Sequence, residues 1–560
     1  AGLTIGTSTN AQGWFALDLP MTSGTLEFTF IGFKKKTLDF TEKMARDTLR
    51  ITMEEDVQEL DETVVVAFGQ QKKESVVSAI TTVRPMDLKS SSSDLTTSFA
   101  GKIAGIVGWQ TGGLPGALTE EEMNTKFYIR GITSFQTGAN IDPLILIDGV
   151  ESSKLDLARI APEDIESFSV MKDASATAIY GSRAANGVVV VTTKAPEPGQ
   201  LRVAYNLNVA ITAPDLSDYD LMNAREKLQA ELDAGLYDSD DISSQQLLRM
   251  DYAERLERVQ KGVNTYWLSK PLEIAVGHKH SLYVEGGDQS VRYGIDLNYQ
   301  ANPGVMKGST RDRFGISFTW TYNIANKFRI GNVLSVNQIK SEKTPYGEFS
   351  TYTKLNPYER AKDEKGRWIY LLSNGNPNPL VDAHLNSYDK TESTSYTNNF
   401  DIEWYIIEGL RLTGRFSYSF GNNDADKFIS PKDSRYLQKA NNEKGFYSST
   451  SGRTNSMDGN LVLNFYHQWD RHMFTLVGGL NMQSNKMNST YFSAQGFLND
   501  NLTNLDFASQ YEVNTKPSGK VEEDRLIGFF ANASYAYDNR YMFDLSYRTD
   551  GSSKFGADNR

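Results

Sequence analysis

The stretch Ile165-Glu166-Ser167-Phe168-Ser169-Val170-Met171-Lys172-Asp173-Ala174-Ser175-Ala176-Thr177-Ala178-Ile179-Tyr180-Gly181-Ser182-Arg183-Ala184-Ala185-Asn186-Gly187-Val188 decides how this chain is read. It opens as a half-buried strand and continues as a short Ala-rich helix. Gly181-Ser182-Arg183 stops that helix, and Asn186-Gly187 occupies a tight-turn position that favours positive φ. Val188–Val191 then reads as a return strand. The result is a compact βαβ-like piece of a small domain, and by itself it carries no chemistry.

Three further blocks precede it: Phe99-Ala100-Gly101-Lys102-Ile103-Ala104-Gly105-Ile106, Phe127-Tyr128-Ile129-Arg130-Gly131 and Pro143-Leu144-Ile145-Leu146-Ile147-Asp148-Gly149-Val150. In this order and spacing, and with Lys172–Ala176, Tyr180–Arg183 and Asn186-Gly187, the four blocks resemble the plug domain of TonB-dependent outer-membrane transporters, in the SusC/RagA branch. Residues 75–194 are expected to form that plug. Ahead of it, Leu60-Asp61-Glu62-Thr63-Val64-Val65-Val66-Ala67-Phe68-Gly69 is a β-branched run bounded by acids and Gly and followed by the polar Gln70–Glu74. It resembles the family's Ton box, Asp61–Gly69 here, departing from the usual form at Thr63, Ala67 and Phe68. Those changes leave the backbone pairing groups intact, and recognition by strand addition depends mainly on the backbone. The competing reading is an ordinary sandwich strand. Residues 59–74 are taken as Ton box and linker. Residues 1–58, with alternating runs at Trp14–Leu19 and Leu26–Phe33 and a final strand at Arg50–Met53, resemble part of the carboxypeptidase-regulatory-like β-sandwich that precedes many such plugs.

At 560 residues the chain exceeds one ordinary domain. Hydrophobic residues make up only 39%, mean hydropathy is −0.46, and no run approaches the roughly 18 apolar residues of a membrane helix. Aromatics nevertheless reach 11%, with 28 Tyr, 28 Phe and 44 Gly, a composition that also suits outer-membrane barrels, whose lumen faces are polar. With no cysteine, disulfides, Cys-ligated zinc and thiol nucleophiles are all excluded. A net charge of −12 argues against nucleic-acid binding, which needs a basic footprint.

From Leu201 onward the pattern is period two. Leu201, Val203, Tyr205, Leu207, Val209 and Ile211 alternate with Arg202, Ala204, Asn206, Asn208, Ala210 and Thr212. The same alternation recurs over Val291–Tyr299, Phe314–Tyr322 and Leu410–Phe420. In a soluble sandwich the apolar face would be core; in a membrane barrel it faces lipid. Connections near Gly287, Ala325, Gly409, Asp470 and Asn539 are tight. Those at about 213–280, 341–396, 422–458 and 487–524 are long, with a short exception at 302–310. Tight turns all on one side favour the barrel, so residues 195–560 are expected to be the N-terminal half of one. About eleven strands are countable, half of the roughly 22 of a plugged transporter. Unpaired edges are not tolerated in lipid, so the remaining strands are expected beyond Arg560. The fold class is thus an all-β transmembrane barrel with an α+β plug and a partial β-sandwich.

Motifs of enzymatic chemistry are missing: no G-x-S-x-G elbow, P-loop, dinucleotide fingerprint or H-E-x-x-H occurs, and no enzyme, cofactor or metal is expected. His278-Lys279-His280 reads as a strand-end pair rather than a metal site. Asp238-Ser239-Asp240-Asp241 lacks the Gly and terminal Glu of an EF-hand loop and reads as solvated, although calcium on that loop stays open. Arg130, Asp148, Glu166 and Arg183 are candidates for a latch between plug and wall. Trp109, Gln110 and Thr111, in a loop running to Gly116, are candidates for substrate contact, since an aromatic face stacks on sugar rings and amides bond hydroxyls; a plain plug loop is the competing reading.

The resemblance runs to Arg548-Thr549-Asp550-Gly551-Ser552-Ser553-Lys554-Phe555-Gly556, which is similar to a block of the family's barrel. It implies an active importer of oligosaccharides or oligopeptides, multi-pass in outer-membrane lipid, with its N-terminal domains in the periplasm. A SusD-like lipoprotein would serve as lid, and TonB, energised by ExbB and ExbD, would pull the Ton box. A soluble β-sandwich binding protein and a TonB-dependent signalling transducer are the alternatives. Residues 1–58 do not resemble a transducer's extra domain.

Overall fold

The computed structural model describes residues 7, 9, 14–15, 17, 23–30, 33–41, 51–52, 63–66, 69–72, 80–88, 95–99, 101–110, 125–131, 141–160, 162–172, 178–325, 327–538 and 540–554. Two compact units result: residues 1–63 with 72–74, and residues 64–71 with 75–560. In the first, β1 (Ser23–Phe30) and β2 (Phe33–Thr41) form an antiparallel hairpin in register from Ser23↔Thr41. Phe15 packs edge-on against Phe28, with ring centroids 5.7 Å apart. Trp14, Phe15 and Leu17 lie outside any strand, as do Ile51 and Thr52, so neither expected strand there is found among the described residues.

Next along the chain, β3 (Thr63–Val66) and β4 (Gly69–Lys72) make a two-stranded sheet whose middle residues, 64–71, count with the second unit. The plug follows. Its five-stranded sheet runs in the order β5 (Ile80–Val83), β10 (Ile165–Met171), β11 (Val188–Thr193), β8 (Leu144–Ile147), β9 (Val150–Ser152). Beside it stands a hairpin of β6 (Ile106–Gln110) and β7 (Thr125–Ile129). Val, Ile and Leu runs suit strands covered on both faces. One side of the sheet packs on Leu88, Leu95, Phe99, Ile103, Phe127 and Leu157, all buried; the other packs on Tyr180 and Ala184. β10 and β11 are antiparallel, and β11 is parallel to β8. The βαβ-like reading of this stretch is therefore corrected. The described part of its connection is a 3₁₀ segment, Ala178–Ala184, kinked at Gly181 (φ +71), because glycine alone adopts that turn without strain.

The remaining strands form one antiparallel meander: β12 (Gly199–Thr212), β13 (Ala275–Gly287), β14 (Val291–Ala301), β15 (Thr310–Ile324), β16 (Phe328–Glu342), β17 (Tyr388–Ile407), β18 (Leu410–Ile429), β19 (Phe446–Trp469), β20 (His472–Gln495), β22 (Ser518–Tyr537) and β23 (Tyr541–Ser552). The short β21 (Gln510–Tyr511) pairs beside β20. This is a partial barrel wall. The expected tight turns are present, each with a positive φ at Gly287, Ala325, Gly409, Asp470 or Asp538. The expected long loops are shorter than read, because β17–β20 extend to 20–24 residues where about 9–11 cross a membrane.

At the far end from the tight turns, residues 213–274 and 343–387 fold together as a cap. Trp267, Leu268, Tyr352, Leu372 and Leu380 form one core, and Ala224, Leu228, Tyr237 and Tyr358 another. Buried Glu231 accepts from the Tyr237 hydroxyl at 2.6 Å and the Tyr358 hydroxyl at 3.0 Å. Asp241 caps helix Ile242–Gln260, its carboxylate accepting from Ser244 N at 2.7 Å. That cap gives the last acid of the Asp238–Asp241 run a structural task.

Candidate functional site: the junction of plug and wall

Strand alternation puts charges on the plug side of the wall. On β16–β18, Arg329, Asp401, Glu403, Arg411 and Arg415 share one face, because Arg329 opposes Glu403 and Asp401 opposes Arg415 in register. They pair across strands: Arg329 with Asp401 at 3.1 Å, and Arg411 with Glu403 at 2.9 Å. Opposite them sits the turn Asp148-Gly149 between β8 and β9. Asp148 accepts from Thr193 N at 2.8 Å and Thr193 Oγ1 at 2.7 Å. Burial pushes its carboxyl above the ordinary range, and Asp401 adds to the rise, while the Thr193 bonds and the charge of Arg415 oppose it. The Arg415 guanidinium lies directly against Gly149, in space that any Cβ there would occupy.

Between plug sheet and wall is a cavity of about 460 Å³. Glu166 of β10 and Lys194 line it from the plug side, together with Asp148 and the wall charges.

A second contact is made by the kinked segment. At Gly181 a Cβ would lie 2.5 Å from Asp550 Oδ2 and 2.7 Å from Arg548 Nε. Arg548 donates to Asp550 from Nε at 2.8 Å and to Asn481 Oδ1 at 2.7 Å. Beside it, Arg183 pairs with Glu151 and donates to Gln483 Oε1 at 3.2 Å, and Gln483 Nε2 donates back to Glu151 at 3.0 Å.

Of the four residues expected at this junction, Asp148, Glu166 and Arg183 are brought to the wall side. Arg130 is not among the cavity-lining residues; it follows β7 at φ +60, its N–H donating to the Gly105 carbonyl at 2.8 Å. Trp109 and Gln110 belong to β6, paired with Lys126 and Thr125, rather than to a loop; Thr111 lies outside the described residues. So do Asp61, Glu62, Ala67 and Phe68 of the expected Ton box, whereas Thr63–Val66 is strand. Sequence reading missed Glu151, Arg415 and Gln483, and took Arg548 and Asp550 only as part of a block. The signal was present: isolated charges and amides on the polar side of alternating strands.

The outer face of the wall is apolar. Leu207, Phe318, Leu463, Phe529 and Leu545 are 39–64% exposed. Near the tight turns Trp469 stacks on Phe474 at 5.0 Å, and Phe474 meets Tyr535 at 4.7 Å, an aromatic girdle of the kind barrels place at a membrane interface. No helix among the described residues is long and apolar enough to cross a membrane.

Residues 72–188 match the TonB-dependent Receptor Plug Domain family, and residues 1–65 the CarboxypepD_reg-like domain. TonB-dependent receptor P3 of Formosa agariphila is 28% identical over all of this chain, and TonB-dependent receptor SusC of Bacteroides thetaiotaomicron 27%. The chain resembles the SusC-like TonB-dependent receptors along its whole length. It spans about half the length of these relatives, 53% and 55% respectively. Among solved structures, the RagAB peptide importer in its open-open state superposes with a TM-score of 0.75 at 22% identity, over 89% of this chain and 57% of that one. The ferripyoverdine receptor of Pseudomonas aeruginosa gives 0.50 at 12% identity, over 93% and 60%. In this receptor fold the wall is a partial barrel, and the charged junction is where plug meets barrel.

Proposed function

We propose that the full-length protein imports oligosaccharides or oligopeptides across the outer membrane. In this reading a SusD-like surface lipoprotein is the lid, and TonB, driven through ExbB and ExbD, supplies the pull. The observation that carries it is the plug: a folded domain keyed against the polar face of a barrel wall, with strand Thr63–Val66 ahead of it. A plugged barrel is a closed door, and Asp61–Gly69 is its handle, offered to TonB by backbone pairing. The N-terminal domains stand in the periplasm and the cap faces outward. Asp148, Glu166 and Arg183, with Arg130 farther off, are the latch; Trp109, Gln110 and Thr111 meet substrate. The protein binds and moves its cargo without altering it.

The likeness to the RagAB peptide importer supports the oligopeptide class. Deleting Asp61–Gly69 is expected to abolish growth on the cargo while membrane insertion and lipoprotein association persist. Uptake at the parental rate in that strain contradicts the proposal. Extraction from the membrane without detergent would return the chain to the soluble-sandwich reading.

A further inference from the structure

The plug meets the wall in two unlike ways. On the β20–β23 side the contact is keyed. Gly181 lets the plug backbone lie on Asp550 and Arg548, and Gly528 of the wall admits the same pair from the other side. The Arg548 side chain is 5% exposed, bonded to Asp550 and Asn481, and seated over the Phe530 ring at 5.8 Å. Close packing of this kind has discrete arrangements and does not deform gradually.

On the β15–β18 side the plug touches the wall at Gly149, against the far end of the Arg415 side chain, and around that contact the 460 Å³ cavity separates the two. Its charges are mostly paired along the wall, and partly solvated pairs hold little. Four cations (Arg329, Arg411, Arg415, Lys194) face four carboxylates (Asp148, Glu166, Asp401, Glu403), so the lining is polar without a net field against neutral or zwitterionic cargo. The cavity lies at the tight-turn end, since Arg329 and Arg411 are each the second residue of their strand. Glu166 reaches it from β10, whose other neighbour is the edge strand β5, held by four residue pairs, Phe168↔Val83 to Met171↔Ile80. β5 is the first strand of the plug sheet after Thr63–Val66, so a pull from the N-terminal side loads β10's neighbour first.

We propose that cargo leaves along the β15–β18 wall, through the charge-lined cavity, while the plug stays fixed at Gly181 on Arg548 and Asp550. This rests on the transport reading above.

Residues 1–560 hold no cysteine, and any beyond them in the full-length protein is first replaced by serine. In the full-length protein, Glu166→Cys and Thr319→Cys put one thiol on each side of the cavity, to be bridged by a reducible bis-thiosulfonate. Uptake of fluorescent maltoheptaose and of a fluorescent octapeptide is followed in cells. Bridging is expected to lower uptake of whichever probe the unbridged protein imports by roughly tenfold, as a blocked gate does, and reduction to restore it. In a second arm, Gly181→Ala and Arg548→Ala, checked for barrel assembly by heat-modifiable gel mobility, are expected to admit vancomycin even when Asp61–Gly69 is deleted. Uptake unchanged by bridging overturns the route, and assembled seat variants that stay closed to vancomycin overturn the fixed point. A parent that imports neither probe in an Asp61–Gly69-dependent way removes the transport reading and the route with it. An importing parent indifferent to the bridge removes the route alone.

Discussion

The lower and upper halves of the same wall strands differ in what their outer faces carry. Near the tight turns β19 alternates Met457, Leu461, Leu463 and Phe465 outward with Asp458, Asn460, Val462 and Asn464 inward. Farther along the same strand, Tyr447 to Asn455 is almost wholly Ser, Thr, Gly, Arg and Asn on both faces, yet the ladder to β18 and β20 continues unbroken. Backbone pairing makes the strand; the medium outside it decides whether one face must be greasy. Alternation therefore maps lipid, not strand length.

That contrast can be broken by substitution. The largest effect is expected from Phe318→Arg, on the apolar outer face: about 2–4 kcal/mol lost from barrel stability near the bilayer midplane, read by denaturant-induced unfolding in lipid vesicles. Leu207→Arg is expected to behave alike, and Asn208→Arg and Thr319→Arg, on the inner face, to cost far less. Equal costs on the two faces would favour a soluble sandwich. Next comes Gly479→Ala on the inner face of β20, where a Cβ would collide with the buried Phe530 ring. Overpacking of this kind costs about 1–3 kcal/mol, and Gly478→Ala, with open space beside it, serves as the neutral partner in the same assay.

Asp241→Ala should cost about 1 kcal/mol, the usual worth of an N-cap. It should raise amide exchange in helix Ile242–Gln260 and leave the wall unchanged. The smallest effect is expected from Ser451→Arg on the upper outer face, within about 0.5 kcal/mol; a loss like that of Phe318→Arg would put lipid at that height and erase the difference between the two halves.

The same contrast explains what could be read from the sequence. Leu201–Ile211 and Phe314–Tyr322 announced wall strands because lipid imposes period two, and the tight turns showed themselves through Gly287 and Gly409. The upper parts of β18–β20 looked like loops because water on both sides leaves no pattern to find. In the plug, the strands were legible from Leu144–Ile147 and Val188–Val191, but their pairing was not. Ile165–Met171 and Val188–Thr193 are direct antiparallel neighbours, and Val188–Thr193 takes Leu144–Ile147 in parallel on its other side, a partner that no local pattern announces. At the junction, Asp148 and Arg183 could be singled out as charges on a small domain. Their surroundings on the wall, Arg415 and Gln483, lie hundreds of residues away, and no local pattern links them.

The most direct test starts from residues 1–560, which hold no cysteine, in a full-length protein with any cysteine beyond them replaced by serine. Nitroxide labels at Phe318→Cys and Thr319→Cys in the full-length protein in lipid vesicles report neighbouring positions on opposite faces of β15. The account predicts that the label at 318 is relaxed by oxygen dissolved in the lipid and shielded from a water-soluble nickel chelate, with the reverse at 319. Equal access of the chelate to both positions would contradict a membrane-spanning wall.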